Sequence, residues 1–197
     1  MIKAIIFDCF GVFIGNPYKI RVQALEKSDP EKAVEMHDIN RASDRGIITR
    51  EESANRMAEL IGITTEQFLA EQDKGEIRNE PLVEYVKTLR SKYKVAMLSN
   101  INSRERLDIR FEPGQLDELF DVVVASGDEG YIKPEPEIFE IALHKLGVKA
   151  EECIFIDDIL EYCRGAEAVG IHTIQYLSFD QAIEDLEALI DRGSKTD

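Results

Sequence analysis

Acidic side chains follow two short apolar runs that lie far apart in the sequence. Asp8 ends the run KAIIFD near the amino terminus, and the pair Asp157 and Asp158 follows the run CIFI. A carboxylate can attack phosphorus and form an aspartyl phosphate. Two adjacent carboxylates repel each other unless a cation or hydrogen-bond donors hold them, and Mg²⁺ prefers oxygen ligands of this kind. We therefore expect Asp8 to be a nucleophile, with magnesium between Asp8 and Asp158 and with Asp157 acting on the ion directly or through water.

Two further segments carry polar groups that a phosphoryl group would need. Ser99 and Asn100 come at the end of the run KVAMLSN, and Lys133 precedes Pro134 ahead of a helical pattern. Each segment alone is a weak signal, because a polar residue after a strand often only begins a helix. Together with the acids, we expect Ser99, Asn100 and nearby backbone amides to bind phosphoryl oxygens. Lys133 would bind the same group and neutralise the charge that grows in the transition state.

The elements that must position these residues alternate along the chain. Apolar runs typical of buried strands cover residues 2–8, 95–98, 122–125, 154–156 and 173–176. Helical periodicity covers residues 82–93, 107–119, 136–146, 161–169 and 179–192. Strands that alternate with helices predict an α/β fold, in which helices cover both faces of a parallel sheet. Ligands of such sheets bind beyond the carboxyl ends of the strands, which is where the candidate residues stand.

Residues 16–79 break this alternation. The segment interleaves charged and apolar residues at helical spacing, and it contains no strand-like run. Helix-start signals stand at Asp29 and Thr49. We predict a small all-helical domain at residues 16–79, inserted into a core domain formed by residues 1–15 and 80–197. Residues 193–197 are predicted to be a loose tail.

Length and charge limit the classes of partner. The chain has 197 residues, which suits one core plus an insertion. The formal net charge of −15 disfavours nucleic acid, because binding to it requires basic side chains that displace counterions. No apolar run approaches the roughly 20 residues that span a bilayer, so we predict no membrane association. A small anionic substrate would need a local positive centre, either a bound cation or a buried lysine.

Cysteine usage and the amino-terminal residues bear on the cellular compartment. Three cysteines, at positions 9, 153 and 163, are an odd number without metal-binding spacing, which suits a reducing compartment. The start MIKAIIFD lacks the long apolar core and the cleavage site of a signal peptide. We predict a cytoplasmic protein. The sequence carries no signal for the oligomeric state.

Four motifs, in their order along the chain, resemble those of the haloacid dehalogenase superfamily. They are DCFGV, LSN, IKPEPEIF and FIDD. The inserted segment, with its stretch DRGIITREE, is similar to the helical cap of one large subgroup. The resemblance implies a Rossmann-like core, a hydrolase that acts on a small phosphorylated or other small molecule, and a cap that closes over it. It also implies a magnesium ion held by Asp8, the backbone carbonyl of Phe10 and Asp158.

The departure from the family pattern is Phe10. Phosphatases of this family have an aspartate there, which protonates the leaving oxygen and then activates water. Loss of a general acid and base typically costs about 10²- to 10⁴-fold in rate. Substrates with good leaving groups, such as acyl or aryl phosphates, would suffer least.

Three hypotheses about function follow. The first, which we favour, is a magnesium-dependent phosphohydrolase with attenuated or specialised activity. The second is a non-catalytic protein that binds metal or phosphate, or has a regulatory role. The third is a 2-haloacid dehalogenase, since dehalogenases of the family have an aromatic residue at the position of Phe10. Those enzymes replace the acidic pair, however, and have an aspartate where this chain has Tyr162.

Overall fold

The computed structural model describes the backbone of residues 1–194 and the side chains of residues 1–192. Five parallel strands form one sheet in the order β3-β2-β1-β4-β5. The strands are β1 (Ala4–Phe7), β2 (Lys94–Ser99), β3 (Val122–Ala125), β4 (Cys153–Asp157) and β5 (His172–Gln175). Helices flank the sheet, so the predicted α/β class and the Rossmann-like arrangement are confirmed.

Eleven α-helices lie within the described residues. They are α1 (Pro17–Ser28), α2 (Pro30–Asp44), α3 (Arg50–Ile61), α4 (Thr65–Gly75), α5 (Glu80–Leu89), α6 (Glu105–Asp108), α7 (Gln115–Leu119), α8 (Ser126–Glu129), α9 (Pro136–Leu146), α10 (Leu160–Ala168) and α11 (Phe179–Ser194). A single 3-10 turn, Ala150–Glu152, precedes β4. Among these described residues, no helix has both the length and the apolarity needed to cross a bilayer.

Two sequence predictions differ from these elements. The helix predicted at residues 107–119 is instead the separate helices α6 and α7, because Pro113 and Gly114 interrupt it. Gly114 has a φ of +82°, outside the helical range. The predicted tail is wrong for residues 193 and 194, which belong to α11, and residues 195–197 lie outside the described part.

Alternating side chains of the strands build a core on each face of the sheet. In β1, Ile5 and Phe7 pack on one face, and Ala4 and Ile6 pack on the other. Helix α5 contributes Leu82, Val83 and Val86 to the first core, whereas α9 contributes Ile138, Phe139 and Ala142 to the second. The sheet is therefore covered on both faces, and its strand ends are held in fixed register.

Helices α1 to α4 lie within the predicted insertion and pack on one another. They share a separate apolar cluster of Val22, Met36, Ile39, Ala54, Met57, Ala58 and Phe68. Asp29 and Thr49 cap α2 and α3, each accepting a backbone hydrogen bond from the residue three positions on, as the start signals predicted. The division of the chain into a cap at 16–79 and a core at 1–15 and 80–197 stays a prediction.

Candidate active site

Strand register places the first two acids side by side. Asp8 directly follows β1, and its backbone N–H donates to the Ile156 carbonyl at 2.9 Å, which extends the pairing with β4. Because side chains alternate along a strand, Asp8 shares a face with Ile6, and Asp157 at the end of β4 shares the same face with Phe155. The two carboxylates therefore project from neighbouring strand ends toward the loop that leads into α9.

Lys133, in that loop, joins the two carboxylates. Its Nζ donates to Asp8 Oδ1 at 2.5 Å, to Asp157 Oδ2 at 2.7 Å and to the Leu98 carbonyl at 3.1 Å. The Lys133 side chain is 1% exposed. Asp157 Oδ1 accepts a further hydrogen bond from the Ile159 backbone N–H at 2.8 Å. Both oxygens of Asp157 are thus engaged, and this residue orients the lysine.

Burial shifts the pKa of each group in this cluster. It raises the pKa of Asp8 to about 8, although Lys133 acts in the opposite direction. It also raises the pKa of Asp157 against the influence of Lys133. Burial alone would lower the pKa of Lys133, but the attraction of Asp157 and Asp8 raises it above its usual value. One lysine therefore faces more negative charge than it can balance.

Asp158 completes the acidic group from the loop after β4. Its Oδ2 accepts a hydrogen bond from Lys19 of α1 at 2.6 Å. Its Oδ1 is buried and has no hydrogen-bond partner among the described residues. Gly11, in the loop after Asp8, lets this side chain approach: a Cβ at Gly11 would lie 2.3 Å from Asp158 Oδ2, and the backbone has a φ of +97°.

The donor set fits a divalent cation. One carboxylate oxygen from each of Asp8, Asp157 and Asp158 lies within 4.8 Å of the other two. The Phe10 carbonyl accepts only a long bond, 3.4 Å from Asn16 Nδ2. A buried acceptor without a partner, Asp158 Oδ1, stands in this group. Hard oxygen donors of this number and charge suit Mg²⁺, as the sequence analysis predicts.

The serine and asparagine after β2 differ in their surroundings. Asn100 accepts from the Lys133 backbone N–H at 2.8 Å and donates to the Lys133 carbonyl at 3.1 Å, so it fixes the lysine loop. The Ser99 hydroxyl is buried and has no hydrogen-bond partner in the described part of the chain. Asn100 lines the cavity above the strand ends, whereas Ser99 does not. Phosphate binding by Ser99 stays a prediction.

A cavity of about 190 Å³ lies between the strand ends and helices α1 to α4. Asp8, Phe10, Lys133 and Tyr162 line it from the side of the sheet. Its wall also contains charged residues that sequence reasoning did not identify: Asp44, Arg50, Glu76, Arg106 and Arg110. Their periodicity is that of ordinary exposed helix faces, so only the packing of the insertion over the sheet brings them here.

Asp44, the last residue of α2, places a further carboxyl group in the cavity wall. Asn40 donates to its Oδ2 at 2.7 Å, and the Ser126 hydroxyl donates to its backbone carbonyl at 2.5 Å. Burial raises the pKa of Asp44 well above its usual range, with Lys133 opposing the shift and Asp8 adding to it. Burial therefore favours the protonated form of Asp44.

Phe10 packs against Arg110 in the cavity wall. The Arg110 guanidinium lies 5.2 Å from the Phe10 ring centroid, in a cation–π contact. Arg110 also donates to Glu76 Oε1 at 2.7 Å. The ring is thus part of a packed wall and supplies no proton.

Most of the chain matches the model of a known protein family. A model of the family "haloacid dehalogenase-like hydrolase" matches residues 2–170. The chain belongs to the haloacid dehalogenase-like hydrolases. The resemblance that the four motifs carry is therefore confirmed, and the motif segments all lie within the matched range.

Members of this family with assigned activities are among its relatives. The chain is 34% identical to pyrophosphatase PpaX of Halalkalibacterium halodurans over 60% of its own length and 55% of that protein. It is 29% identical to sesquiterpene phosphatase astK of Aspergillus oryzae over 86% of its length and 87% of that protein. The chain thus spans about half of the length of PpaX. It is also 44% identical over 71 residues to mouse acyl-CoA dehydrogenase family member 10, and this match covers 7% of that protein.

A solved structure extends the comparison to ligands. A haloacid dehalogenase family enzyme of Bacteroides thetaiotaomicron, in complex with magnesium and inorganic phosphate, matches with a TM-score of 0.70 and 25% identity. The match covers 88% of this chain and 93% of that enzyme. The neighbour shares the fold over nearly its whole length.

Proposed function

We propose that the protein is a magnesium-dependent phosphohydrolase that forms an aspartyl phosphate on Asp8. The observation that carries this proposal is the cluster at the strand ends. There, Lys133 bridges Asp8 and Asp157 at 2.5 and 2.7 Å, beside an acceptor oxygen of Asp158 that has no partner among the described residues. The relatives named as phosphatases and the neighbour with magnesium and phosphate support it.

Each residue of the cluster has a part in the reaction. A carboxylate oxygen of Asp8 attacks phosphorus while the bond from phosphorus to the leaving oxygen breaks. Lys133 offsets the negative charge on the transferred group, and Asp157 with Asn100 keeps Lys133 in place. Water then cleaves the aspartyl phosphate, which restores Asp8 and releases inorganic phosphate. Magnesium, held by Asp8, the Phe10 carbonyl and Asp158, would shield the nucleophile from its anionic target and stabilise the transferred charge.

Because residue 10 is a phenylalanine, the leaving group lacks its usual proton donor. The cavity wall offers three carboxyl groups: Asp8, the nucleophile; Glu76, which is paired with Arg110; and Asp44. Burial raises the pKa of Asp44 and favours its protonated form, so Asp44 can donate a proton to the leaving oxygen at a reduced rate. Substrates with good leaving groups, such as acyl phosphates or the phosphate that leaves pyrophosphate, would need this donor least.

The substrate class and compartment follow the same reasoning. A small phosphorylated molecule suits a cavity of about 190 Å³, which is smaller than typical pockets for drug-sized ligands. The acidic surface opposes binding of nucleic acid. We propose that the protein acts in the cytoplasm on such a molecule.

The direct test is phosphate release from acetyl phosphate and p-nitrophenyl phosphate, with and without magnesium. We expect turnover that requires magnesium and disappears in the Asp8→Asn variant. Equal activity of the variant would show that another protein in the preparation is responsible. Stabilisation by magnesium or phosphate without turnover on either substrate would favour the non-catalytic hypothesis. Halide release from 2-haloacids without metal would favour the dehalogenase hypothesis.

A further inference from the structure

Arg106 is a cation in the wall of the catalytic cavity and forms no ion pair with any described residue. It lies in α6, shortly after the strand that ends in Ser99, and its side chain lines the cavity that contains Asp8 and Lys133. Its Nε and Nη1 atoms are buried and have no hydrogen-bond partner among the described residues. A buried N–H without a partner costs free energy, and more so when the group is charged. The Arg106 guanidinium therefore stands in the cavity wall with its positive charge uncompensated by any described side chain.

The neighbouring charges do not supply that acceptor. Arg110, four residues later, forms an ion pair with Glu76, and its Nη1 donates to the Arg106 carbonyl at 2.5 Å. Within the part of the chain described here, no carboxylate lies within 4.0 Å of the Arg106 guanidinium. This stands out in a chain with 39 acidic and 24 basic residues. Acidic residues outnumber basic ones, yet no described acid pairs with this partly buried cation.

The far wall of the cavity adds to the positive charge. Arg50, the first residue of α3, lines the cavity from the insertion and forms no ion pair with any described residue. Lys133 is already occupied by Asp8 and Asp157 at the strand ends. Arg106 and Arg50 are therefore positive charges beyond those that the phosphoryl group itself would engage. An anionic part of the substrate other than the transferred phosphoryl group would neutralise them.

We propose that the substrate is a small phosphate compound whose leaving group carries a second oxyanion, a carboxylate or a phosphate, bound by Arg106. The inference rests on the proposed function and names its substrate class. A guanidinium is permanently charged and weakly hydrated, so it suits binding of such an oxyanion. The transferred phosphoryl group would lie at Asp8, and the second oxyanion would lie against Arg106.

The test uses two phosphonates that cannot be hydrolysed. Phosphonoacetate carries a carboxylate, and 2-oxopropylphosphonate has nearly the same shape with a methyl ketone in its place. Calorimetric titration at equal free magnesium gives the ratio of their affinities for the wild-type protein and for variants. Arg106→Gln removes the proposed contact, and Arg106→Lys keeps its charge. Arg104→Gln is the matched control, because Arg104 lies in the same segment and pairs at the surface with Asp117.

We expect the wild type to prefer phosphonoacetate. Arg106→Gln should reduce that preference about 10- to 100-fold, the value of hydrogen bonds to a charged group. Arg106→Lys should retain part of it, and Arg104→Gln should retain all of it. Unchanged affinity of Arg106→Gln for 2-oxopropylphosphonate would show that the variant is folded.

Two results would overturn the inference. One is equal or undetectable binding of the two phosphonates by the wild type, and the other is a preference that survives in Arg106→Gln. Because these titrations need no turnover, their outcome is separate from that of phosphate release. A preference that depends on Arg106, in a protein that releases no phosphate, would uphold the anion site and reject the proposed reaction.

Discussion

The strand-end cluster and the wall of the cavity are both charged, but their charges are satisfied differently. In the cluster, Lys133 is 1% exposed and bonds to Asp8 and Asp157 within the protein. In the wall, Arg106 has buried donors with no partner among the described residues, and burial raises the pKa of Asp44 well above its usual range. In the cluster, the lysine is paired within the protein and Asp158 Oδ1 is left for a cation, whereas in the wall Arg106 is left for the substrate anion that we propose.

From this difference we infer that the cluster carries out the chemistry and that the wall selects the substrate. The sheet fixes the cluster through strand register, so the cluster tolerates little change. Part of the wall comes from α1 to α4, which bond to the rest of the chain through polar contacts such as those of Ser126 with Asp44 and of Asn102 with Ser43. Changes in the cluster should therefore affect stability and every substrate alike, whereas changes in the wall should affect particular substrates.

The largest effect is expected from Lys133→Met. Removing the lysine leaves two buried carboxylates without their shared partner, which we expect to cost about 3–5 kcal/mol of unfolding free energy. Activity should fall on all substrates. Urea unfolding measures the loss. Lys145→Met is the control, because its pair with Glu129 is partly exposed and should be worth at most about 1 kcal/mol. Similar losses of unfolding free energy in both variants would show that the buried pairs of Lys133 stabilise the protein no more than a partly exposed pair does.

Gly11→Ala tests the approach of Asp158. The new Cβ would collide with Asp158 Oδ2 and would also strain a backbone with φ of +97°, a combined cost of about 2–4 kcal/mol. We expect lower stability and a smaller rise of melting temperature on addition of magnesium. Gly62→Ala has comparable backbone strain, φ +76°, with nothing within 4 Å. It should therefore lose stability by strain alone and keep its full response to magnesium. A full magnesium response in Gly11→Ala would contradict the account of the site.

Asp44→Asn tests whether this residue of the cavity wall donates a proton to the leaving group. The variant should lower turnover of alkyl phosphates about 10- to 100-fold and leave acetyl phosphate nearly unchanged, because only the poor leaving group needs a proton. Asp38→Asn, an exposed acid on the same helix, should change neither rate. Adding Phe10→Asp should restore turnover of alkyl phosphates and make it independent of Asp44. Equal losses on both substrates would assign Asp44 a structural role.

The smallest effect is expected from Asn102→Ala. Asn102 Nδ2 donates to the carbonyls of Ser43 and Ile48, at either end of the loop between α2 and α3. Its loss should cost about 1 kcal/mol and raise hydrogen exchange at residues 43–48. Asn55→Ala, which removes an exposed contact with Thr65, is the control. Unchanged exchange in Asn102→Ala would show that this contact does not hold the loop.

Local signals account for the parts of the fold that sequence could predict. Helix α9 matches its predicted bounds, because Pro136 opens it and Gly147, at φ +65°, closes it. Asp8, Lys133 and Asp157 were identified because each stands beside a readable strand or helix. The prediction of one helix at residues 107–119 was wrong, because Pro113 and Gly114 interrupt a stretch whose apolar spacing is helical.

The residues of the wall carry no such local signal. Asp44 ends one helix and Arg106 lies in another, and each has the spacing of an exposed face. Their role depends on the packing of the insertion against the strand ends, a long-range property that periodicity does not encode. Sequence could therefore predict that the strand-end residues stand together, but not which residues of the wall join them; the roles of both groups stay predictions.

The most direct test of the central claim is to trap the intermediate on Asp8. The protein is quenched during turnover of acetyl phosphate with magnesium, reduced with borohydride, and analysed by peptide mass spectrometry. We predict that residue 8 is converted to homoserine, the product of a reduced aspartyl phosphate. The yield should be high, because Phe10 cannot activate the water that clears the intermediate. Turnover at the normal rate with Asp8 unmodified at every time point would contradict the account.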